Sequence, residues 1–185
     1  MESSQGRVII LMGPPNAGKD TQAFRLAEYM GGIHIGSGEL LRREADPRVM
    51  EVMAKGELVS SDDFRRLVGH AIEKVPTTKP VVLAGIAKKP EEAHWIVEYL
   101  PTIGRRIDKV ILLNITMDEA KRRSVERPGD RADDSPHVQE LRWQRYFEMT
   151  KQSLEFFRGM GLLEEVDAKG SRAEVARRVD EAAGL

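Results

Sequence analysis

One segment constrains this chain more than any other: Gly13-Pro14-Pro15-Asn16-Ala17-Gly18-Lys19, which follows the apolar run Val8–Met12 and opens a helical pattern over Gly18–Met30. In a strand–loop–helix setting the spacing G-x-x-x-x-G-K wraps backbone N–H groups around a polyphosphate, while the lysine reaches its terminal groups. The helix N-terminus adds about half a positive charge at the same point. Two positions depart from the common form of this loop. Asp20 stands directly after the lysine, where Ser or Thr usually approaches Mg²⁺, and Thr21 comes one place later. Asn16 occupies a position often held by glycine. Asparagine tolerates a left-handed backbone better than most residues, so the loop is expected to close.

The rest of the chain repeats the same β-then-α order. Short apolar runs at Ile33–Ile35, Val81–Leu83, Val110–Ile115 and Leu162–Val166 mostly lack apolar/polar alternation, as strands of a parallel sheet covered on both faces do. Helical patterns lie over Ser61–Val75, Pro90–Leu100, Asp118–Glu126, Pro136–Phe157 and Ser171–Ala183. Ser61 before Asp62 and Asp63, Pro90 before Glu91 and Glu92, and Ser171 three residues ahead of Glu174 are helix-start signals. A doubly wound α/β fold follows. Between Gly36 and Ser60 the pattern breaks into two short helices, Glu39–Ala45 and Arg48–Lys55, separated by Asp46-Pro47, and reads as a small helical insert. A length of 185 residues fits one domain.

Composition removes several function classes. The 29 Lys+Arg against 30 Asp+Glu leave a net charge of −1, without the broad basic field of a nucleic-acid binder. With no cysteine there is no disulfide scaffold, thiol nucleophile or Cys-based zinc site, and His34, His70, His94 and His137 lie too far apart for a local metal motif. The uncharged stretch from Val8 to Gly18 is interrupted by Pro14 and Pro15 and is far short of the ~20 apolar residues of a membrane span. Residues 1–5 carry Glu2 and do not read as a secretory signal, so a cytoplasmic protein without membrane or nucleic-acid partners is expected.

Further motifs resemble those of the nucleoside monophosphate kinases, and adenylate kinases in particular, over nearly the whole chain. Pro15, Gly18, Lys19 and Thr21 fall in place in that family's G-x-P-G-x-G-K-G-T loop. His34-Ile35-Gly36-Ser37-Gly38-Glu39-Leu40-Leu41-Arg42 looks like the segment ending in D-x-L-R that opens the monophosphate-binding insert, and Gly56-Glu57-Leu58-Val59 like the loop covering the acceptor base. Arg131-Ala132-Asp133-Asp134 followed by Arg142 and Tyr146 matches the R-x-D-D…R…Y signature, with Arg123 and Arg127 ahead of it. Val166-Asp167-Ala168-Lys169-Gly170 is similar to the loop whose backbone meets the donor adenine.

The resemblance implies a P-loop kinase fold: three α/β/α layers, a five-stranded parallel sheet, a core of residues 1–35, 61–126 and 132–185, the insert 36–60 and a very short lid at 127–131. It implies Mg²⁺-dependent, reversible phosphoryl transfer from ATP to a nucleoside monophosphate, with no zinc in the short lid and a monomeric chain. ATP would be held by Asn16, Ala17, Gly18, Lys19, Asp20, Thr21, Arg123, Arg127 and Gly170. The monophosphate would be held by Ser37, Arg42, Glu57, Leu58, Val59, Gly85, Ile86, Ala87, Lys88, Glu92, Arg131 and Arg142. Catalysis would fall to Lys19, Lys88, Arg127, Arg131 and Arg142, with Asp133 and Asp134 orienting arginines or capping the next helix. Such cations suit a reaction in which positioning and charge stabilisation do most of the work.

The run Ala84-Gly85-Ile86-Ala87-Lys88 departs from the family's D-G-x-P-R. Ala84 removes a carboxylate that arranges the waters of Mg²⁺, and Lys88 keeps the charge of the arginine without its bidentate fork. Asp20 either takes over the Mg²⁺ shell or is an outward-facing first-turn residue favoured by the helix dipole. Glu92 replaces the glutamine that reads the acceptor adenine. An ionised carboxylate only accepts hydrogen bonds, which suits guanine's paired donors in principle, while Ser37 and the general similarity favour AMP. Two other readings stay open, a homologue that binds nucleotide without turnover and a small-metabolite kinase. His34 reads as a structural hydrogen-bonder, and Trp143, Tyr146, Phe147, Phe156 and Phe157 as the packing face of a long helix.

Overall fold

A computed structural model describes residues 6–43, 47–55, 59–125 and 136–185. Its elements in chain order are β1 (Arg7–Met12), α1 (Lys19–Tyr29), β2 (Ile33–Gly36), α2 (Ser37–Arg43), α3 (Pro47–Ala54), α4 (Ser61–Glu73) and β3 (Val81–Ala84). They continue with α5 (Pro90–Thr102), β4 (Arg106–Asn114), α6 (Met117–Val125), α7 (Pro136–Gly159), β5 (Leu163–Asp167) and α8 (Arg172–Ala183). The five strands form one sheet in the order β2-β3-β1-β4-β5, and every pairing is parallel. The expected site residues Glu57, Leu58, Arg127, Arg131, Asp133 and Asp134, and the expected lid at 127–131, lie outside the described residues.

The apolar runs of β1, β3 and the second half of β4 are continuous because they have to satisfy two cores at once. Side chains alternate across a strand, so Val8, Ile10 and Met12 of β1 join Phe64, Leu67, Ile96, Leu100 and Phe157 on one face. Ile9 and Leu11 join Ala23, Leu26, Val175 and Val179 of α1 and α8 on the other. All five β1 positions from Val8 to Met12 are buried. Parallel strands with helices on both faces have no solvent side on which a polar residue would be tolerated.

Helix starts follow the local chemistry with small shifts. Ser171 caps α8 and Glu174 returns the bond from N3, as the spacing predicts. For α4 the cap is Ser60 rather than Ser61: Ser60 Oγ accepts from Asp63 N at 3.1 Å. The insert helices start earlier than the pattern suggests, α2 at the end of β2 and α3 with Pro47 in its first turn, where a missing N–H costs nothing. Strand β4 begins at Arg106, four residues before the apolar run. Its polar first half pairs with β1 across a register shift between Val8 and Ile9, and Arg7 Nε donates to Asp108 Oδ2 there. Backbone ladder bonds need no apolar side chain, so hydropathy alone misses this half-strand.

Helix α7 buries Trp143, Tyr146 and Phe157, whereas Phe147 is 52% exposed and is not part of the packing face. None of the described helices is long and apolar enough to cross a membrane. The phosphate-type loop after β1, the turn after β3 and the segment after β5 leave the carboxyl ends of strands, with β1 at the point where the order of strands reverses. In open α/β sheets that is where ligands bind.

Candidate functional site

The site is built around the turn from β1 into α1. Asn16 adopts φ 63, as expected for its position, and its side-chain N–H donates to Ala120 O at 3.3 Å and Gln139 Oε1 at 3.4 Å. Gly13 sits at φ 147, and a Cβ there would meet Leu113 O at 2.6 Å. Only glycine lets the loop pass this close to β4. Ala17 is buried, and Gly18, left-handed at φ 90, is the N-cap of α1.

Lys19 folds back over the loop, and its Nζ donates to Pro14 O at 2.7 Å. Its ammonium is held at about 7, far below the usual lysine value, first by burial and then by the charges of Lys88 and Arg142, with Asp20 pulling the other way. Lys88 is likewise lowered by burial and by Arg142, opposed by Glu92 and Asp20. Three cations predicted from three separate parts of the chain therefore share one electrostatic field, together with the carboxylate of Asp20. Gly85 and Ser37 line the same spot. A Cβ on Gly85 would lie 3.6 Å from Lys19 Cε and 3.3 Å from Ser37 Oγ, and Ser37 Oγ donates to Gly85 O at 2.7 Å.

Asp20 points across to the end of β2. A Cβ on Gly36 would lie 2.7 Å from Asp20 Oδ1, so the carboxylate occupies space that only glycine leaves open there. His34 Nε2 is 3.8 Å from the same oxygen, too far for a hydrogen bond, and is buried without a partner among the described residues. That corrects the expectation of a structural hydrogen-bonder: burial lowers the pKa of His34 and overrides the nearby acids Asp20 and Glu39. Thr21, on the first turn of α1, is exposed. Arg42 lies on α2, its guanidinium nitrogens 3.4 Å from the place a Cβ on Gly38 would take.

The turn after β3 carries Ile86 and Ala87, both buried, and Ala87 adopts φ 54. Glu92, expected to face a base, is only 4% exposed and is the third residue of α5. Its Oε2 accepts the backbone N–H of Lys88 at 3.1 Å and of Lys89 at 3.4 Å. Burial raises its pKa against these bonds and against the charges of Lys89 and Lys88. Lys89 Nζ donates to Val59 O at 2.8 Å, which ties buried Val59, at the end of the insert, to the same turn.

A second group of predicted residues gathers at the other end of the phosphate loop. Arg123 donates from Nη2 to Ala168 O at 2.6 Å, from Nη1 to Ala17 O at 3.4 Å and from Nε to Glu119 Oε1 at 2.7 Å. It therefore joins the loop to the segment after β5. Glu119 is drawn down to about 2 by its bonds to Arg122 and Arg123. Beside it lies a cavity of about 410 Å³ lined by Thr116, Asp118, Glu119, Arg122, Lys169 and Gly170, within the usual range for a small-molecule site. Of these residues Lys169 and Gly170 belong to the loop expected at the donor adenine. The Glu119–Arg123 spacing of one helical turn was the signal available for another.

Among the described residues no cluster of three His, Asp or Glu side chains is placed to hold a metal ion. The donor set present, the carboxylate of Asp20 beside Lys19, suits an ion such as Mg²⁺ that keeps several waters and binds mainly through substrate phosphates.

Comparison with known proteins gives a consistent answer. Residues 11–162 match the family model for adenylate kinase. The chain is 33% identical over 184 residues to the adenylate kinase of Xanthomonas euvesicatoria pv. vesicatoria (strain 85-10), covering 95% of this chain and 98% of that protein. It is 31% identical over 179 residues to the adenylate kinase of Stenotrophomonas maltophilia (strain R551-3), covering 92% and 96%. It is 33% identical over 182 residues to that of Phenylobacterium zucineum (strain HLK1), covering 94% and 96%.

Proposed function

The chain belongs to the adenylate kinase family, and from that premise we propose that it transfers the γ-phosphoryl group of ATP to AMP, reversibly and with Mg²⁺, giving two ADP. It is a nucleoside monophosphate kinase. The observation that carries the finer reading is the shared field of Lys19, Lys88 and Arg142, each lysine held below its usual value partly by the same arginine. Such a cluster is costly in the free protein and is relieved by a polyanion.

An oxygen of the acceptor phosphate attacks the γ-phosphorus in line, the bond from that phosphorus to the β-phosphate bridging oxygen breaks, and ADP leaves. No enzyme nucleophile enters. Lys19 holds the β- and γ-phosphates, Arg42 and Lys88 hold the acceptor phosphate, and Arg142 faces the group in transfer. Arg127 and Arg131 are proposed to complete the set from the lid side, with Asp133 and Asp134 orienting them. The adenine of ATP rests in the cavity beside Arg123, against the backbone of Lys169 and Gly170.

Two features of this chain bear on the acceptor and the metal. Glu92 already spends one oxygen on two backbone N–H groups. It presents at most one oxygen to a base, where guanine's adjacent N–H and amino donors call for two and adenine's amino group for one. That favours AMP over GMP. Asp20 is the carboxylate nearest the phosphates, and we assign it the orientation of Mg²⁺-bound water that Ala84 cannot provide. Bound with ATP beside Asp20, Mg²⁺ would supply positive charge to the phosphates.

A coupled assay of ADP formation tests both points. The initial rate with AMP is expected to exceed those with GMP, CMP and UMP by at least tenfold; comparable rates with GMP would overturn the base assignment. Asp20→Ala is expected to raise the Mg²⁺ concentration for half-maximal rate about tenfold and to weaken Mn²⁺ binding in the ternary complex, read by electron paramagnetic resonance. Unchanged values in both would return Asp20 to the role of a first-turn surface residue.

A further inference from the structure

The most constrained peptide near the site carries Lys88. Ala87 before it is fully buried and holds a left-handed φ of 54, a strained conformation for a non-glycine residue that persists only where its surroundings over-determine it. Two side chains do so. Glu92 Oε2 accepts the N–H of Lys88 at 3.1 Å, and Ser153 Oγ on α7 donates to the C=O of Lys88 at 3.2 Å. Ser153 is fully buried.

The Ser153 bond is not what a helical serine usually makes. A buried serine in a helix commonly bonds the carbonyl one turn back, whereas Ser153 reaches across to another element. Its neighbours on the same face of α7, at helical spacing, show the contrast. Tyr146 Oη and Thr150 Oγ1 are buried with no partner among the described residues. Of three buried hydroxyls along this seam, Ser153 is the one whose bond lands on the peptide of a cationic site residue.

We propose that Ser153 is a positioning residue for phosphoryl transfer: with Glu92 it clamps both sides of the Lys88 peptide and so aims the Lys88 ammonium at the acceptor phosphate. This rests on the reading of Lys88 as the contact to that phosphate. The chemistry explains why a clamp is needed here. Arginine brings a planar fork that finds phosphate oxygens bidentately, while lysine is a point charge on a flexible four-carbon stem. With lysine at this position, aim depends on the anchor of the stem, which is the backbone that Glu92 and Ser153 hold.

The test uses the purified full chain with AMP and ATP as substrates. Ser153→Ala is expected to raise KM for AMP about five- to tenfold, as for one lost buried hydrogen bond, and to leave KM for ATP within about twofold. In a Lys88→Ala background the same change is expected to add nothing, because the clamp then has no ammonium to aim. Amide hydrogen exchange at Lys88 should quicken at least about tenfold in Ser153→Ala while Ile10 in β1 is unchanged. Where alanine leaves the chain unfolded, Ser153→Cys, a weak donor of similar size, takes its place.

An equal rise of KM for both substrates, or an undiminished effect in the Lys88→Ala background, overturns the proposal. Unchanged exchange at Lys88 overturns the clamp, and faster exchange with unchanged KM for AMP overturns its functional role. If the unmodified protein forms no ADP from ATP and AMP, the phosphotransfer reading fails instead, and the exchange measurement decides the clamp by itself.

Discussion

Lys19→Met is expected to lower kcat/KM for ATP on the order of a thousandfold and to abolish a proton uptake that accompanies ATP binding. The first effect follows from position. Lys19 lies over the phosphate loop, donating to Pro14 O, and is the cation best placed to follow charge developing between the β- and γ-phosphates. Preorganised groups aimed at such charge are worth about 10²–10³ in rate each. The second effect follows from its environment. Burial and the neighbouring cations hold Lys19 at about 7 in the free protein, so near neutral pH a substantial fraction is uncharged. A bound polyphosphate favours the ammonium, and the pKa rises back toward the ordinary lysine value. At pH 7 the uptake is about half a proton per ATP. Calorimetry of ATP binding in buffers of different ionisation enthalpy measures it directly. Uptake that survives in Lys19→Met would assign the proton to another group.

The sign of the linkage gives a companion observation on stability. Lys19 binds its proton less tightly folded, at about 7, than unfolded, at 10.5. Between those values the unfolded chain carries more protons, so this residue makes the ligand-free protein more stable as pH rises through that window. ATP removes the effect, because the bound form restores the proton. Lys88 is shifted in the same direction and adds to it.

What the sequence revealed and what it concealed divide along a physical line. The phosphate loop was legible because its chemistry is backbone chemistry: Gly13 and Gly18 mark where the chain must take conformations closed to other residues, and Asn16 duly adopts φ 63. The parallel sheet was legible because strands buried on both faces cannot hide a polar position, as Val8 to Met12 show. The first half of β4 was concealed because ladder bonds say nothing about side-chain polarity. Glu92 illustrates ambiguity rather than concealment. Its place after Pro90 is a helix-start signal and its place in the resembling motif is a base-reading one, and the bond from Lys89 N, the N-cap of α5, shows the first at work. Ser153 carried no signal at all. A serine in the middle of a long helix becomes informative only when folding sets it against a residue that lies, in sequence, before β4.

Arg142→Ala is expected to lower kcat by about 10²–10³ while KM for ATP changes less than about fivefold. Arg142 lies on α7 and contributes to lowering both Lys19 and Lys88, so its charge opposes theirs in the free protein. Beside two lysines, its charge has most to offer when negative charge is shared among all three. Charge is most spread over the equatorial oxygens of the γ-phosphoryl group while it is in transit, and arginines at that stage contribute large rate factors in phosphoryl-transfer enzymes. Removing Arg142 therefore slows the chemical step but relieves repulsion at rest. In the ligand-free Arg142→Ala protein the pKa of Lys19 should rise, reducing the proton uptake on ATP binding. Arg142→Lys keeps the charge without the planar fork and should recover only a small part of the rate. A kcat within threefold of the unmodified enzyme, or a marked fall in melting temperature with no change in turnover, would move Arg142 out of the transfer site and into the packing of α7.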